Sequence, residues 1–409
     1  MGLLAVFRRF GFDLSFSYKF NINSRLVQYS KKQNLLSHPP IRIAFVIPTL
    51  DQSGAEKQLA MLACGLPAAK YELLVIALNR GGPYAEVLRS ANIPIKILNK
   101  RLRFDPIAHR RLSASLDEFQ PDIVHSWLFS ANSHVRLLKN SRTKWKSVVS
   151  ERCVDSWKSA WQLWLDRKLI PRTDALIANS NSVAEFYAKL GVPPQSLHVI
   201  HNGISLPSSF SEAEAKQQHS EWLEKWKLPE DAFIVGFAGR LAPQKKLKTL
   251  LWAAHLLKIA DSRIFAIFAG EGSESGNLQE LAIKYEVDSH LRFIGHQSDI
   301  NHFYRQCNAF WLASQYEGQS NSLMEAMAHG LPVVVSEIPA NLELVTNEKI
   351  GLTAPLGDSA MFAKQIRKLV NNAELRNNLG QQARHFIQEN RSTELMIEKH
   401  DQLYQTLLK

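Results

Sequence analysis

Ser314-Gln-Tyr-Glu-Gly-Gln-Ser-Asn-Ser-Leu-Met-Glu-Ala-Met-Ala-His-Gly-Leu-Pro-Val-Val-Val335 runs from a loop, through a short helix, into a valine-rich strand. Glu317 precedes the helix and Glu325 falls in its second turn, so both carboxylates can face one cleft at the helix N-terminus. That end presents free backbone N–H groups and the positive pole of the helix dipole, which suits a phosphate. Carboxylates beside such a site are good acceptors for sugar hydroxyls. The amides near Ser320, Asn321 and Ser322 belong to this anion-facing end.

Outward from this stretch, 409 residues exceed one ordinary core and point to two domains. Cys64, Cys153 and Cys307 are far apart and form no Cys-x-x-Cys pair, which gives neither a disulfide framework nor a zinc site and suits a reducing compartment. No Asp-x-Asp occurs and no His/carboxylate cluster is visible, so no metal site and no cofactor is expected. The formal net charge of +11 calls for an anionic partner. Residues 134–172 hold ten Lys or Arg against three acids, with Trp145, Trp157, Trp161 and Trp164 interleaved. Two readings of the last three tryptophans stand: a helix lying on an anionic membrane surface, or a stripe packed in the core. Residues 1–40 contain six basic residues and one acid. Their charges lie on the wrong side of the apolar run for a signal peptide, which leaves a disordered extension or a membrane-touching arm. No uninterrupted apolar run is long enough to cross a bilayer.

Apolar runs at Ile41–Pro48, Leu73–Leu78, Ile95–Leu98, Asp122–Trp127, Val148–Val149 and Ala175–Ala178 alternate with helical patterns. Asn202-Gly203 ends this first series. Residues 207–230, polar and flanked by prolines, read as an interdomain linker. Alternation restarts at Phe233–Ala238 and continues through Ile264–Ala269, Leu291–Ile294, Ala309–Leu312 and Val333–Val335. The fold class is α/β: two Rossmann-like, doubly wound domains facing a central cleft, with ligands beyond the strand carboxyl ends. Their expected extents are 41–206 and 231–385, followed by a C-terminal helix at 386–409 that packs back on the first domain.

Several loops repeat the theme of strand end plus chemistry. Arg240 and Lys245 stand in Phe237-Ala-Gly-Arg-Leu-Ala-Pro-Gln-Lys245, where a planar guanidinium and a compact ammonium can converge on one diphosphate. Ser53-Gly54-Ala55-Glu56 opens a helix, and Gly54 lets backbone approach a ligand. Asp122-Ile-Val-His-Ser-Trp127 puts His125 toward a strand end. Gly270-Glu-Gly272 is followed by Gly276, one residue too late for a dinucleotide fingerprint. Together with the Glu317-x7-Glu325 stretch, these motifs resemble the retaining, two-domain GT-B enzymes of glycosyltransferase family 4, over about residues 41–405. Within it, Glu317-Gly-x-x-Asn321 and Glu325-Ala-Met-Ala look like the branch that makes surface polysaccharides and lipid-linked glycans. The departures are Ser53 for a second glycine, Lys246 for a small residue, Ser205 for aspartate and Ser320 for proline.

The resemblance implies retaining transfer of a hexosyl group from a nucleoside diphosphate sugar to a glycan, lipid-linked or small-molecule acceptor, without a metal. It implies that Arg240 and Lys245 neutralise the departing diphosphate, Glu325 holds ribose, and Glu317 holds the donor sugar. His125 would contact the sugar near its anomeric centre, and backbone around Ile294 in Phe293-Ile-Gly-His296 would read the base. The expected place is the cytoplasm, at the inner face of the membrane where the anionic-surface reading applies. Competing readings are a nucleotide-sugar epimerase of the same plan and a non-enzymatic anionic-surface-binding protein. A nucleic-acid module leaves the cleft carboxylates unexplained, and a nicotinamide oxidoreductase lacks its glycine fingerprint, so no nucleic-acid partner is expected.

Overall fold

The computed structural model describes residues 39–155, 157–207 and 212–409; the expectation for the N-terminal arm lies outside them, apart from its last two residues. A first sheet holds β1 (Ile41–Thr49), β2 (Tyr71–Arg80), β3 (Ile95–Ile97), β4 (Ile123–Trp127), β5 (Lys146–Glu151), β6 (Ala175–Ala178) and β7 (Leu197–Val199), in the order β3-β2-β1-β4-β5-β6-β7. A second holds β8 (Phe233–Ala238), β9 (Ile264–Ala269), β10 (Leu291–Gly295), β11 (Ala309–Leu312), β12 (Val333–Ser336) and β13 (Leu352–Ala354), in the order β10-β9-β8-β11-β12-β13. The pairings are parallel in both sheets, from β1–β2 and β1–β4 in the first to β8–β9 and β8–β11 in the second. Helices cover both faces, which is why the central strands read as unbroken apolar runs: Ile43 to Ile47 are all fully buried. Strand order reverses at β1/β4 and at β8/β11, and the crevices at those two points are where such sheets bind ligands.

The stretch read as a linker contains a helix, Glu212–Trp226. Its composition is charged, but Trp222 and Leu223 are buried in the second core. The chain ends in two helices that part company. Ala373–Asn390 sends Leu379, Ala383 and Ile387 into the second core, while Thr393–Leu408 sends Met396, Leu403 and Tyr404 into the first. At the crossing, Ile204 N–H donates to the Arg391 carbonyl at 2.8 Å. A Cβ on Gly203 would lie 2.7 Å from Thr393 Cα, so that close approach requires glycine.

Beneath β5 lies a buried ionic cluster. Arg136 and Lys158 each reach Asp166, at 2.6 and 2.8 Å, and Lys158 also bonds Asp155 and the Tyr187 hydroxyl at 2.8 Å each. Glu151, 3.9 Å from Lys158, accepts from Asn132 at 2.9 Å. Burial pushes its carboxyl up to about 7, and the neighbouring Asp155 and Asp166 push it the same way.

Of the two readings of the tryptophans, packing in the core fails: Trp157, Trp161 and Trp164 are all exposed. Only Trp161 and Trp164 lie in the helix Ala160–Leu169; Trp157 sits in the turn before it. Trp145 alone leans on a core, that of Leu112, Leu116 and Val135.

Candidate functional site

The loop after β8 is shaped by glycine. Gly239 has φ 147° and Gly270, after β9, has φ 137°; a Cβ on Gly270 would lie 2.0 Å from the Gly239 carbonyl oxygen. Arg240 projects from this loop into solvent. Pro243–Lys245 makes one tight turn, and Lys246 follows with φ 49°, in the left-handed region. A small residue suits such backbone better, which gives the Lys246 departure a local strain of about 1 kcal/mol.

The loop after β11 meets it. The Lys245 ammonium donates to Glu317 Oε1, and both side chains are largely enclosed, 14% and 10% exposed. Gln244 Nε2 donates to the Tyr316 carbonyl at 2.7 Å. Ser320 caps the helix Asn321–Ala328, its Oγ accepting from Leu323 N–H at 3.4 Å. Ser322 Oγ lies 3.2 Å from Ser320 Oγ. Glu325, one turn further, accepts from the buried Tyr304 hydroxyl at 2.9 Å. These groups stand on the segments that follow β8 and β11, the two strands at the reversal: Lys245 is paired with Glu317, the helix capped by Ser320 carries Glu325, and Arg240, on the same loop as Lys245, is exposed.

The first half supplies the facing wall. Glu56 is buried and accepts from Ser53 and Thr49, which fixes the loop into the helix Gly54–Gly65. Asn321 Nδ2 donates to the Gly54 carbonyl at 3.1 Å, and a Cβ on Gly54 would lie 3.2 Å from that nitrogen. Lys57 Nζ reaches Glu325 Oε1 at 2.5 Å. Asn202 donates to Asn321 Oδ1 at 2.7 Å and Gln58 bonds both backbone groups of Gly203. A Cβ on Gly318 would strike the Arg152 carbonyl oxygen at 2.1 Å. Arg152 lies 4.7 Å over the Trp127 ring and donates to Asn202. Sequence reasoning missed Lys57, Arg152, Asn202 and Tyr304 as site residues. Lys57 follows Glu56 by one residue, but its partner is 268 positions away, which no local pattern discloses.

His125 requires a correction. It is fully buried, with Nδ1 2.7 Å from the Tyr404 hydroxyl and Nε2 2.8 Å from Ser150 Oγ, and it faces no cleft. In register it lies beside Phe45 and Val148, two residues short of the end of β4, and the helix Thr393–Leu408 covers it. Burial, then His400 and Arg152, hold its pKa well below the ordinary value. A strand read without that covering helix looks open there. Ile294 is buried near the end of β10, its carbonyl accepting from Gln297 Nε2 at 2.6 Å. Among the described residues no group of three or more His, Cys, Asp and Glu is arranged to hold a metal, and no helix is long and apolar enough to cross a membrane.

Residues 218–386 match the family model for glycosyl transferases group 1, and residues 52–207 that for glycosyltransferase family 4. The chain is 28% identical over 316 residues to the putative glycosyltransferase EpsD of Bacillus subtilis (strain 168), spanning 74% of this chain and 80% of that one. It is 29% identical over 220 residues to the UDP-Gal:alpha-D-GlcNAc-diphosphoundecaprenol alpha-1,3-galactosyltransferase of Escherichia coli, spanning 52% and 55%. In fold it is similar to HepE of Anabaena, solved in complex with UDP-glucose, at TM-score 0.80 and 19% identity over 90% of this chain and 100% of that one.

Proposed function

The chain belongs to the GT-B glycosyltransferases of the family 4 type, and from that premise we propose that it transfers a hexosyl group from a nucleoside diphosphate sugar with retention at the anomeric carbon and without a metal ion. What supports this reading is the pairing of the loops after β8 and β11 through Lys245 and Glu317, next to the helix that Ser320 caps and that carries Glu325, with exposed Arg240 on the β8 loop. The diphosphate of the donor is stabilised by Arg240, Lys245 and the amides at Ser320, Asn321 and Ser322, groups that also stabilise the charge developing on it as the sugar leaves. Glu325 holds the ribose hydroxyls, releasing Lys57. Glu317 holds hydroxyls of the transferred sugar, releasing Lys245. Gly54 brings backbone close to the donor, and the base lies along the β9–β10 edge near Ile294.

Retention without a side-chain nucleophile needs substitution on one face. The acceptor oxygen bonds to the anomeric carbon on the side from which the diphosphate departs, the carbon–oxygen bond to phosphate breaks, and the acceptor proton passes to a phosphate oxygen. Fixed cations supply the neutralisation that a metal would otherwise give. HepE was solved with UDP-glucose, which makes a uridine donor the first to try. The similarity to the GlcNAc-diphosphoundecaprenol galactosyltransferase of Escherichia coli supports a surface-polysaccharide or lipid-linked acceptor, met by the first domain from the cytoplasmic side of an anionic membrane. The test is incubation of the full chain with a panel of nucleotide sugars, with and without lipid-linked acceptors and with a chelator throughout. Transfer in chelator supports the reading. A donor epimerised without transfer, or transfer only after metal is restored, refutes it.

A further inference from the structure

We propose that the acceptor-side half carries a defined docking surface for an anionic bilayer, built from the loop after β3 and the Trp-bearing helix after β5. It rests on the membrane-side reading of the acceptor given above and locates it. Leu102, Phe104, Ile107, Trp157 and Trp164 are each more than half exposed, and Trp161 is 36% exposed. Two segments remote in sequence meet through them: the Phe104 ring lies 6.1 Å from Trp161, and Arg103 stacks over Trp161 at 4.7 Å, with Leu102 and Ile107 flanking Phe104 in sequence and Trp157 and Trp164 flanking Trp161. Trp161 rests in turn on Phe129 at 5.8 Å. Large exposed apolar side chains gathered on two adjoining segments mark an interaction site.

Charge selects the occupant. Arg101, Arg103, Arg110, Arg167 and Lys168 are exposed in the same two segments. The two acids there are withdrawn: Asp105 is buried as the cap of the helix Pro106–Phe119, and Asp166 is buried between Arg136 and Lys158. The outward charge is therefore all positive, which opposes stacking of a second copy and complements phosphate headgroups. Indole rings beside Arg and Lys suit the boundary between headgroups and acyl chains. Position agrees as well, since both segments follow strand carboxyl ends, the side on which the crevice opens. Among the basic residues of 134–172, Lys139 is spent on Asp174 and the Trp145 ring, so it is not part of this surface.

The test is flotation of the full chain with vesicles of phosphatidylcholine alone or mixed with phosphatidylglycerol, at low and high salt. The protein is compared with two variants, Phe104→Ser/Trp161→Ser/Trp164→Ser and Arg101→Gln/Arg103→Gln/Lys168→Gln. All six positions are exposed, and circular dichroism verifies folding. The expected result is salt-sensitive binding to the mixed vesicles only, weakened about tenfold or more in each variant. Equal binding to both vesicle types, no binding at low salt, or undiminished binding of either variant overturns the proposal. So does a concentration-dependent dimer, seen by sedimentation, that the aromatic variant abolishes. UDP affinity is measured in parallel: its retention in the variants separates this surface from the donor site, and its absence in the native chain would count against the proposed function instead.

Discussion

Replacing Arg240 and Lys245 separately by alanine should give two different outcomes, because the structure treats the two cations differently. Arg240 is exposed, whereas Lys245 is enclosed against Glu317. Loss of either charge from the departing diphosphate should lower turnover about a hundredfold or more, equivalent to ~2.7 kcal/mol in the transition state. Stability should separate them. At an effective dielectric constant of about 20, two unit charges at about 3 Å attract by roughly 5 kcal/mol before desolvation is subtracted. Removing one member of a pair this enclosed should destabilise the fold by about 2–4 kcal/mol, because Glu317 is left without its cation. Arg240→Ala should melt like the native protein. Adding Glu317→Gln to Lys245→Ala should return most of the lost stability and none of the activity. The assay is urea unfolding alongside initial rates at saturating donor. Native turnover in Arg240→Ala, or equal destabilisation by both single changes, would refute the reasoning.

Glu325→Gln keeps the Tyr304 contact but loses the charge proposed to hold ribose, so calorimetry with UDP should show about 10- to 100-fold weaker binding; Glu317→Gln should bind UDP nearly as the native chain does and slow transfer instead. Equal affinity losses would remove that division of roles. His125→Ala leaves the Tyr404 hydroxyl and Ser150 without a partner and opens a cavity, so it should destabilise by about 2–4 kcal/mol while turnover per folded molecule stays within about twofold; a large kcat loss in fully folded protein would restore a chemical role. Burial pushes the Glu151 carboxyl up to about 7 from an ordinary 4.5, so the folded state should bind its proton more tightly than the unfolded chain does. Stability should fall between about pH 4.5 and 7 by on the order of 1–3 kcal/mol from this group, and Glu151→Gln should flatten that fall in urea melts; an unchanged profile would place the ionised carboxylate comfortably beside Lys158.

What was legible in the sequence was what is local. Strands buried on both faces announce themselves as apolar runs, so β6, β8, β9 and β11 were read to the residue. Arg240, Lys245, Glu317 and Glu325 could be proposed from sequence because a loop or a helix turn is enough to nominate them, and the structure brings Lys245 to Glu317. Of the three-residue strands, β3 stood out because its apolar run continues into Leu98, whereas β7 and β13 did not. The helix Glu212–Trp226 was hidden because only a narrow face, with Trp222 and Leu223, turns inward from a charged segment. His125 was misplaced because its lid arrives from Tyr404, 279 positions later. The patch was half legible for the same reason: the tryptophans were visible, but Phe104 joins them only through the fold.

The central claim, retaining transfer supported by fixed cations, is tested most directly by following the anomeric proton signals during reaction with UDP-glucose and the other donors, with chelator present. The account predicts that the new glycosidic bond, or the free sugar released by slow hydrolysis, first appears with the anomeric configuration of the donor. First appearance of the opposite anomer would contradict it.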